Sequence, residues 1–303
     1  MYIDQFAIDP DWCVIEDSFD ITRVRHNESV MALGTGFLTI RSSFDEGFAD
    51  DEQNISYDRM AMNVSLEVVP TKKSRWGSFI PLVQGKHPFW NVGVINLPYV
   101  LGLEVYADGE KLDMETGNIS GYKRWLDMRK ATLYRSFVWE TGTAKKLNLL
   151  FTRYMNPDDK FVCVQELKIK SLSGDVDITA KSYIDNDVRT NGFDKFKNRS
   201  VAFAGGQLIY SDVTGNLDDR VISASRMVCN KASSHAIMRQ KRRITASLSF
   251  SLANDEEALV RKVSSHAASV YFESESLLDE SIKMIKAALD KSAEALHTAH
   301  VER

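Results

Sequence analysis

Along most of this chain apolar and polar residues alternate with a period of two, the signature of strands buried on one face. The clearest block runs from Asn96 to Arg153. It predicts a strand from Gly102 to Ala107, a turn at Asp108-Gly109, a return through Lys111 to Met114, a loop from Asn118 to Gly121, and a long hairpin. That hairpin takes Tyr122 to Arg129 into Leu133 to Trp139. Further on, Val164, Leu167, Ile169, Val176, Ile178 and Ala180 fall mostly on one face, with Lys168, Lys170, Asp175, Asp177 and Thr179 on the other. The pattern predicts an antiparallel hairpin across Ser173-Gly174-Asp175, apolar side in and charged side out. Strand signals continue through Val201 to Phe203, the Gly205-Gly206 turn, Leu208 to Tyr210, Val221 to Val228 and Ile244 to Leu252. Many short-spaced strands with turn residues between them predict a mainly β chain built as a large antiparallel sandwich.

Both ends depart from that pattern. In the first 33 residues Trp12, Phe19 and the run Val30 to Leu33 are the expected strand positions. Gly34-Thr35-Gly36 then separates Val30–Leu33 from Phe37–Arg41, which predicts a hairpin. A β-branched strand follows this Gly-x-Gly, not a helix N-terminus, so it does not read as a phosphate loop. Residues 48–96 are irregular, with Trp76, Phe79, Phe89 and Trp90 among Gly, Pro and Ser, and predict an ordered functional loop. Near the C-terminus, Asn254 with the acids after it predicts a short helix. Ser276-Leu-Leu-Asp279 predicts a capping box opening a longer helix, with Leu278, Ile282, Ile285, Leu289 and Leu296 on one face. The division expected is a β-sandwich over residues 1–270 and a helical linker over 271–303.

Composition narrows the classes. With 44% hydrophobic and 26% charged residues in 303, the chain is an ordinary globular protein, and a net charge of −4 supplies no field for nucleic acid. The basic run Arg239 to Arg243 reads as a solvated strand entrance. No apolar run is long enough for a membrane span. Three cysteines without a Cys-x-x-Cys pair argue against a disulfide framework and a thiolate zinc site, and point to a reducing cytoplasm. The Asn-x-Ser triplets at Asn27, Asn54, Asn63, Asn118 and Asn198 carry no information without a secretion signal.

The six histidines, His26, His87, His235, His266, His297 and His300, are scattered and read as surface residues. The acidic pairs Asp45-Glu46, Asp50 to Glu52, Asp158-Asp159, Asp218-Asp219 and Asp255 to Glu257 read as solvated turns, because a glycosidase needs two acids at a spacing that only the fold can set.

Several segments carry a resemblance beyond periodicity. They are Glu28-Ser-Val-Met-Ala-Leu-Gly-Thr-Gly-Phe-Leu-Thr-Ile-Arg41, Trp76-Gly-Ser-Phe79, Asn96-Leu-Pro98, Asp108-Gly109-Glu110-Lys-Leu-Asp113, Tyr122-x-Arg-x-Leu-Asp-Met-Arg129 and Leu133-x-Arg135. Their order and spacing over residues 12–190 resemble the N-terminal domain of glycoside hydrolase family 65, which includes maltose, trehalose and kojibiose phosphorylases and some trehalose hydrolases. Two departures stand out. The family usually has Gly-Asn-Gly where this chain has Gly34-Thr35-Gly36, and Arg-Gly where it has Arg41-Ser42. Threonine resists positive φ where asparagine tolerates it, which puts the turn type in question.

The resemblance implies a β-sandwich of the galactose-mutarotase-like kind, a super-sandwich, followed by a helical linker and an (α/α)6 barrel. The chain ends about where that linker would enter the barrel, so the catalytic glutamate and the phosphate-binding residues are expected outside it. No catalytic, cofactor-binding or metal residue is therefore assigned. The function implied is the non-catalytic N-terminal part of a phosphorylase or hydrolase acting on α-linked glucose disaccharides, with inorganic phosphate as co-substrate and a homo-oligomeric assembly. Trp76, Phe79, His87 and Trp90 form the candidate loop for substrate contact, since aromatic faces stack on sugar rings. The alternatives are a stand-alone carbohydrate-binding module using an open sandwich face, and a mutarotase-like enzyme. The latter needs a histidine with a paired acid in the sheet concavity.

Overall fold

In the computed structural model the described residues are 1–47, 77–86, 91–190 and 194–303. The N-terminal part supplies β1 (Cys13–Glu16), α1 (Val24–Val30), β2 (Leu33–Gly34) and β3 (Thr39–Ile40). Short strands β4 (Ser78–Phe79), β5 (Gln84–Lys86) and β6 (Val92–Val94) follow. Next come β7 (Leu103–Ala107), β8 (Glu110–Lys111), β9 (Asn118–Asp127), β10 (Thr132–Glu140), β11 (Lys146–Met155), β12 (Val162–Ser171) and β13 (Val176–Asp185). The remaining strands are β14 (Phe196–Ala204), β15 (Leu208–Gly215), β16 (Arg220–Cys229), β17 (Ser234–Arg239), β18 (Arg243–Leu252) and β19 (Glu257–Ala268). Two helices, α2 (Leu277–Leu289) and α3 (Ala293–Val301), end the chain.

Among the described residues these strands form two large antiparallel sheets. One has nine strands in the order β1-β9-β10-β11-β12-β19-β16-β15-β14, the other five in the order β17-β18-β13-β7-β8. Their facing sides bury a core that includes Val105, Phe137, Trp139, Leu149, Phe151, Leu167, Ile178, Leu248 and Val260. The outer face of the larger sheet is also covered. Tyr2 and Phe6 pack with Trp125, Tyr134 and Leu150, while α2 lies over β16 and β19 and α3 reaches β11. No helix among the described residues is long and apolar enough to cross a membrane.

The predicted sandwich is therefore present, and so is the Asn96–Arg153 block, except that the expected 118–121 loop is the first part of β9, paired with Val138–Glu140, and the return strand after Gly109 is only Glu110–Lys111. Asp108 and Gly109 both have positive φ, 49° and 85°, the two-residue turn whose twist matches its flanking strands. Gly36, at φ 85°, takes the left-handed position in the 34–36 turn. Thr35 avoids that region, and its hydroxyl closes the turn, accepting from the Phe37 and Leu38 amides and donating to the Lys160 carbonyl at 2.8 Å.

Four expectations are corrected. First, β12 and β13 do not form a hairpin: β12 pairs with β11 and β19, β13 with β18 and β7, and the turn between them carries the chain from one sheet to the other. Alternating apolar faces are buried equally well beside each other or across a sandwich, and the partner strands β18 and β19 lie far along the chain. Second, Asn254 opens no helix. It sits in a turn, with Asp255 at φ 62°, and β19 follows at Glu257. Asn and acids serve turns as well as caps, and β19, buried almost throughout, shows no alternation that would mark it as a strand. Third, residues 24–30 are helical, and the N-terminal hairpin shrinks to Leu33–Gly34 against Thr39–Ile40. Fourth, the C-terminal helix is broken in two. The Ser276 hydroxyl turns back to the Glu273 carbonyl instead of capping, whereas Ser292 caps α3 by accepting from the Ala295 amide.

Candidate functional site

A row of polar side chains crosses the inner face of the nine-stranded sheet, where the apolar core would otherwise continue. Registry aligns Glu16 of β1 with Arg124 of β9 and Arg135 of β10. Two residues along, Arg153 of β11 aligns with Gln165 of β12 and Lys262 of β19. Cross-strand neighbours project from one face of a sheet, so six strands present one continuous band. Each of these six residues is less than a tenth exposed.

The band grips two irregular segments threaded between the sheets. Arg135 binds both oxygens of Glu46, each at 2.5 Å. Arg153 donates to Asp45 Oδ1 at 2.6 Å and to the Ser43 and Arg41 carbonyls. Arg124 donates to the Ser42 carbonyl and lies 3.5 Å from Glu16. Gln165 bonds Asp45 and the Leu101 carbonyl, and Lys262 donates to the Gly102 carbonyl at 2.6 Å. Phe44 is sandwiched under the guanidinium groups of Arg124 and Arg135, at 4.7 and 4.5 Å. The carbonyls of Arg41, Ser42, Ser43, Leu101 and Gly102, which lie outside the strands, accept from these side chains, as buried carbonyls must.

Electrostatics follow from that geometry. Burial pushes the Asp45 carboxyl up, but Arg153 and Arg135 overcome it and hold the group below the usual range. Burial lowers Arg135 while Glu46 more than restores it. Lys262, without a carboxylate in contact, is pushed down by burial to about 7. Farther along β19, His266 is 1% exposed, with Ser78 Oγ and Ser223 Oγ each 2.8 Å from its ring nitrogens, and burial drives it to about 3.

Asp45-Glu46 is thus no solvated turn, and His266 is no surface residue. Adjacent acids look alike on a loop or in a clamp, and the arginines that decide between the two lie 89 and 108 residues away. The only hint was Arg124 and Arg135 at inward positions of apolar strands. His297 and His300 also lie against the sheet, each ring 5.0 Å from that of Tyr154. The pairs Asp158-Asp159 and Asp218-Asp219 do sit in turns, Asp158 bonding Lys291 and Asp218 bonding Lys197. Phe79 is half-buried in β4 opposite Thr39, while Trp76, His87 and Trp90 lie outside the described residues.

The arrangement is a clamp in which three guanidiniums meet three carboxylates out of water. Acid–base catalysis needs a proton donor within reach of substrate. Here the band's charges are consumed by the chain's own segments, and His266 is held by two serines where a mutarotase-like centre needs a carboxylate. The inner face a sugar would enter is filled.

A family model described as "Glycosyl hydrolase family 65, N-terminal domain" matches residues 14–303. The chain belongs to that family. This family-65 domain is 28% identical over 185 residues to maltose phosphorylase of Bacillus subtilis, covering 60% of the chain and 22% of that protein. It is 26% identical over 180 residues to α,α-trehalose phosphorylase of Thermoanaerobacter brockii, covering 59% and 22%. A solved structure from the human microbiome, named provisionally as a kojibiose phosphorylase, superposes with a TM-score of 0.75 at 17% identity, covering 96% of the chain and 37% of its own. That likeness shows the shared fold. The domain spans about a fifth of the length of the curated relatives it matches.

Proposed function

We propose that this chain is the non-catalytic N-terminal part of a disaccharide phosphorylase, and that the reaction is carried by polypeptide beyond it. The observation that carries this reading is the filled inner face: Asp45, Glu46 and the carbonyls of residues 41–43 and 101–102 occupy the charged band, leaving none of the band's own acids facing an open cleft. The similarity to maltose and trehalose phosphorylases supports an α-linked glucose disaccharide and inorganic phosphate as substrates. In such a reaction a phosphate oxygen attacks the anomeric carbon, the glycosidic bond breaks, and a general acid protonates the departing sugar oxygen. This domain's contribution is to hold its irregular segments rigid. Phe79, with Trp76, His87 and Trp90, remains the proposed aromatic contact to substrate. A homo-oligomer in the cytoplasm completes the reading; the free thiols of Cys13, Cys163 and Cys229 suit a reducing compartment.

The test is phosphate-dependent release of glucose 1-phosphate from maltose, trehalose and kojibiose, measured for the 303-residue chain and for the protein extended by any reading frame beyond Arg303. Activity is expected in the longer protein alone. Turnover by the 303-residue chain would overturn the assignment.

A further inference from the structure

Helix α2 lays its apolar stripe on β16 and β19, but along one edge of that stripe Ile282 and Leu289 are only partly covered. With Leu208 and Ile285 they wall a cavity of 280 Å³ between the helix and the β14–β15 turn. The turn itself is Gly205-Gly206 and brings no side chain to fill the space. A Cβ on Gly205 would meet nothing within 4 Å.

One charged group of the sheet reaches into the cavity. Arg226 of β16 lines it, with Nη2 3.7 Å from where a Cβ on Gly206 would stand, so the guanidinium lies at the turn end. Its Nε is buried and has no hydrogen-bond partner among the described residues. The wall does not supply one. Asp290 is the lining carboxylate, and it is bonded to Lys286 at 2.8 Å. A buried donor without an acceptor is costly, and a guanidinium bonds a carboxylate more strongly than it bonds a neutral acceptor.

We propose that this cavity binds a small organic monoanion, a carboxylate carried on an apolar body such as a phenyl ring or a short alkyl chain. The carboxylate accepts from Arg226, and the body packs on Leu208, Ile282, Ile285 and Leu289. The walls select that class. Inorganic phosphate would set a more highly charged, strongly hydrated ion against these four aliphatic side chains and the Asp290 carboxylate. A neutral sugar would turn its hydroxyls toward the same aliphatic groups and leave them unpaired. A water can satisfy Nε but gains nothing from the apolar walls, whereas small-ligand sites combine such walls with a few placed polar groups.

Methyl-labelled NMR of the 303-residue chain tests this, with benzoate as the probe, benzyl alcohol as its uncharged counterpart and inorganic phosphate as charge alone. Benzoate is expected to shift the Ile282 and Ile285 methyl resonances saturably. Benzyl alcohol and phosphate should each bind at least about tenfold more weakly, and Arg226→Gln should weaken benzoate by about the same factor, whereas Arg226→Lys retains part of the affinity. Ile282→Trp, which fills the cavity, should abolish the shift at Ile285. Unshifted Ile282 and Ile285 methyls up to the solubility limit of benzoate would overturn the proposal. Equal binding of benzyl alcohol would make the site an apolar void, and equal binding of phosphate a bare surface charge; either result overturns it. So would an unchanged benzoate affinity in folded Arg226→Gln. If that variant does not fold, the comparison of benzoate with benzyl alcohol in the unaltered chain still decides.

Discussion

Arg135 holds Glu46 by two parallel hydrogen bonds, with both side chains almost fully removed from water. Breaking such a pair from one side strands a buried charge, so Arg135→Ala is expected to cost about 3–5 kcal/mol in urea denaturation. Arg135→Met combined with Glu46→Gln should recover much of that loss, since neither partner is then left charged. A double variant as unstable as the single one would show that the pair contributes more than mutual neutralisation. His266 sets a pH dependence. The fold holds its neutral form, with a pKa of about 3 against the ordinary 6.5. Between those values the unfolded chain binds a proton that the native chain refuses, so stability is complete above about pH 6.5 and falls with pH by about 1.4 kcal/mol per unit. His297, driven by burial to about 4, acts in the same direction. Asp45 acts lower: its depressed pKa contributes stability that is present above about pH 4 and lost as pH falls through the folded value. Denaturation midpoints should therefore drop between pH 6.5 and 4.5, and His266→Gln should flatten the slope. An unchanged slope would place the proton elsewhere.

At the scale of elements, the junction of α2 and α3 hangs on one strand residue. Arg261, on the outer face of β19, donates to the Lys291 carbonyl at 2.7 Å and to the Leu289 carbonyl at 3.1 Å, satisfying groups that a helix end leaves open. Leu277, Ile285, Ala288 and Leu296 complete the seat by burial. Arg261→Ala should leave the sheet intact but speed proteolytic cleavage between residues 289 and 292, with a loss of about 1.5–3 kcal/mol for bonds from a charged donor. An unchanged cleavage rate would assign the helix seat to apolar contact alone. The 34–36 turn behaves likewise: Thr35→Val removes a hydroxyl with three partners and should cost about 1 kcal/mol in denaturation, whereas Thr35→Asn supplies both an acceptor and a donor and should be tolerated.

At the scale of the molecule, the chain changes sheet at the β8–β9, β12–β13, β13–β14, β16–β17 and β18–β19 connections, and the charged band grips segments lying between the sheets. Neither sheet can keep its inner face without the other. Calorimetry of the 303-residue chain should accordingly show one cooperative transition, with two resolved transitions counting against this interlock.

Strand identity was most legible where one face met core and the other met water, as in the Val176–Ala180 and Ile244–Leu252 segments, because a period of two records that difference directly. It was illegible in β19, where both faces are buried and the period vanishes. The motifs containing Arg124 and Arg135 marked the family. Their role did not show, because a charge in a strand reads the same whether it meets solvent or Glu46. By itself, then, the sequence determined the fold class, glycine-marked turns such as Asp108-Gly109, and the family, all of which rest on local pattern and on segment order. Only the tertiary structure decided which strands pair, that Asp45-Glu46 closes the inner face, and that His266 is buried. Each of these depends on residues brought together from distant parts of the chain, where desolvation, not neighbouring sequence, sets the chemistry.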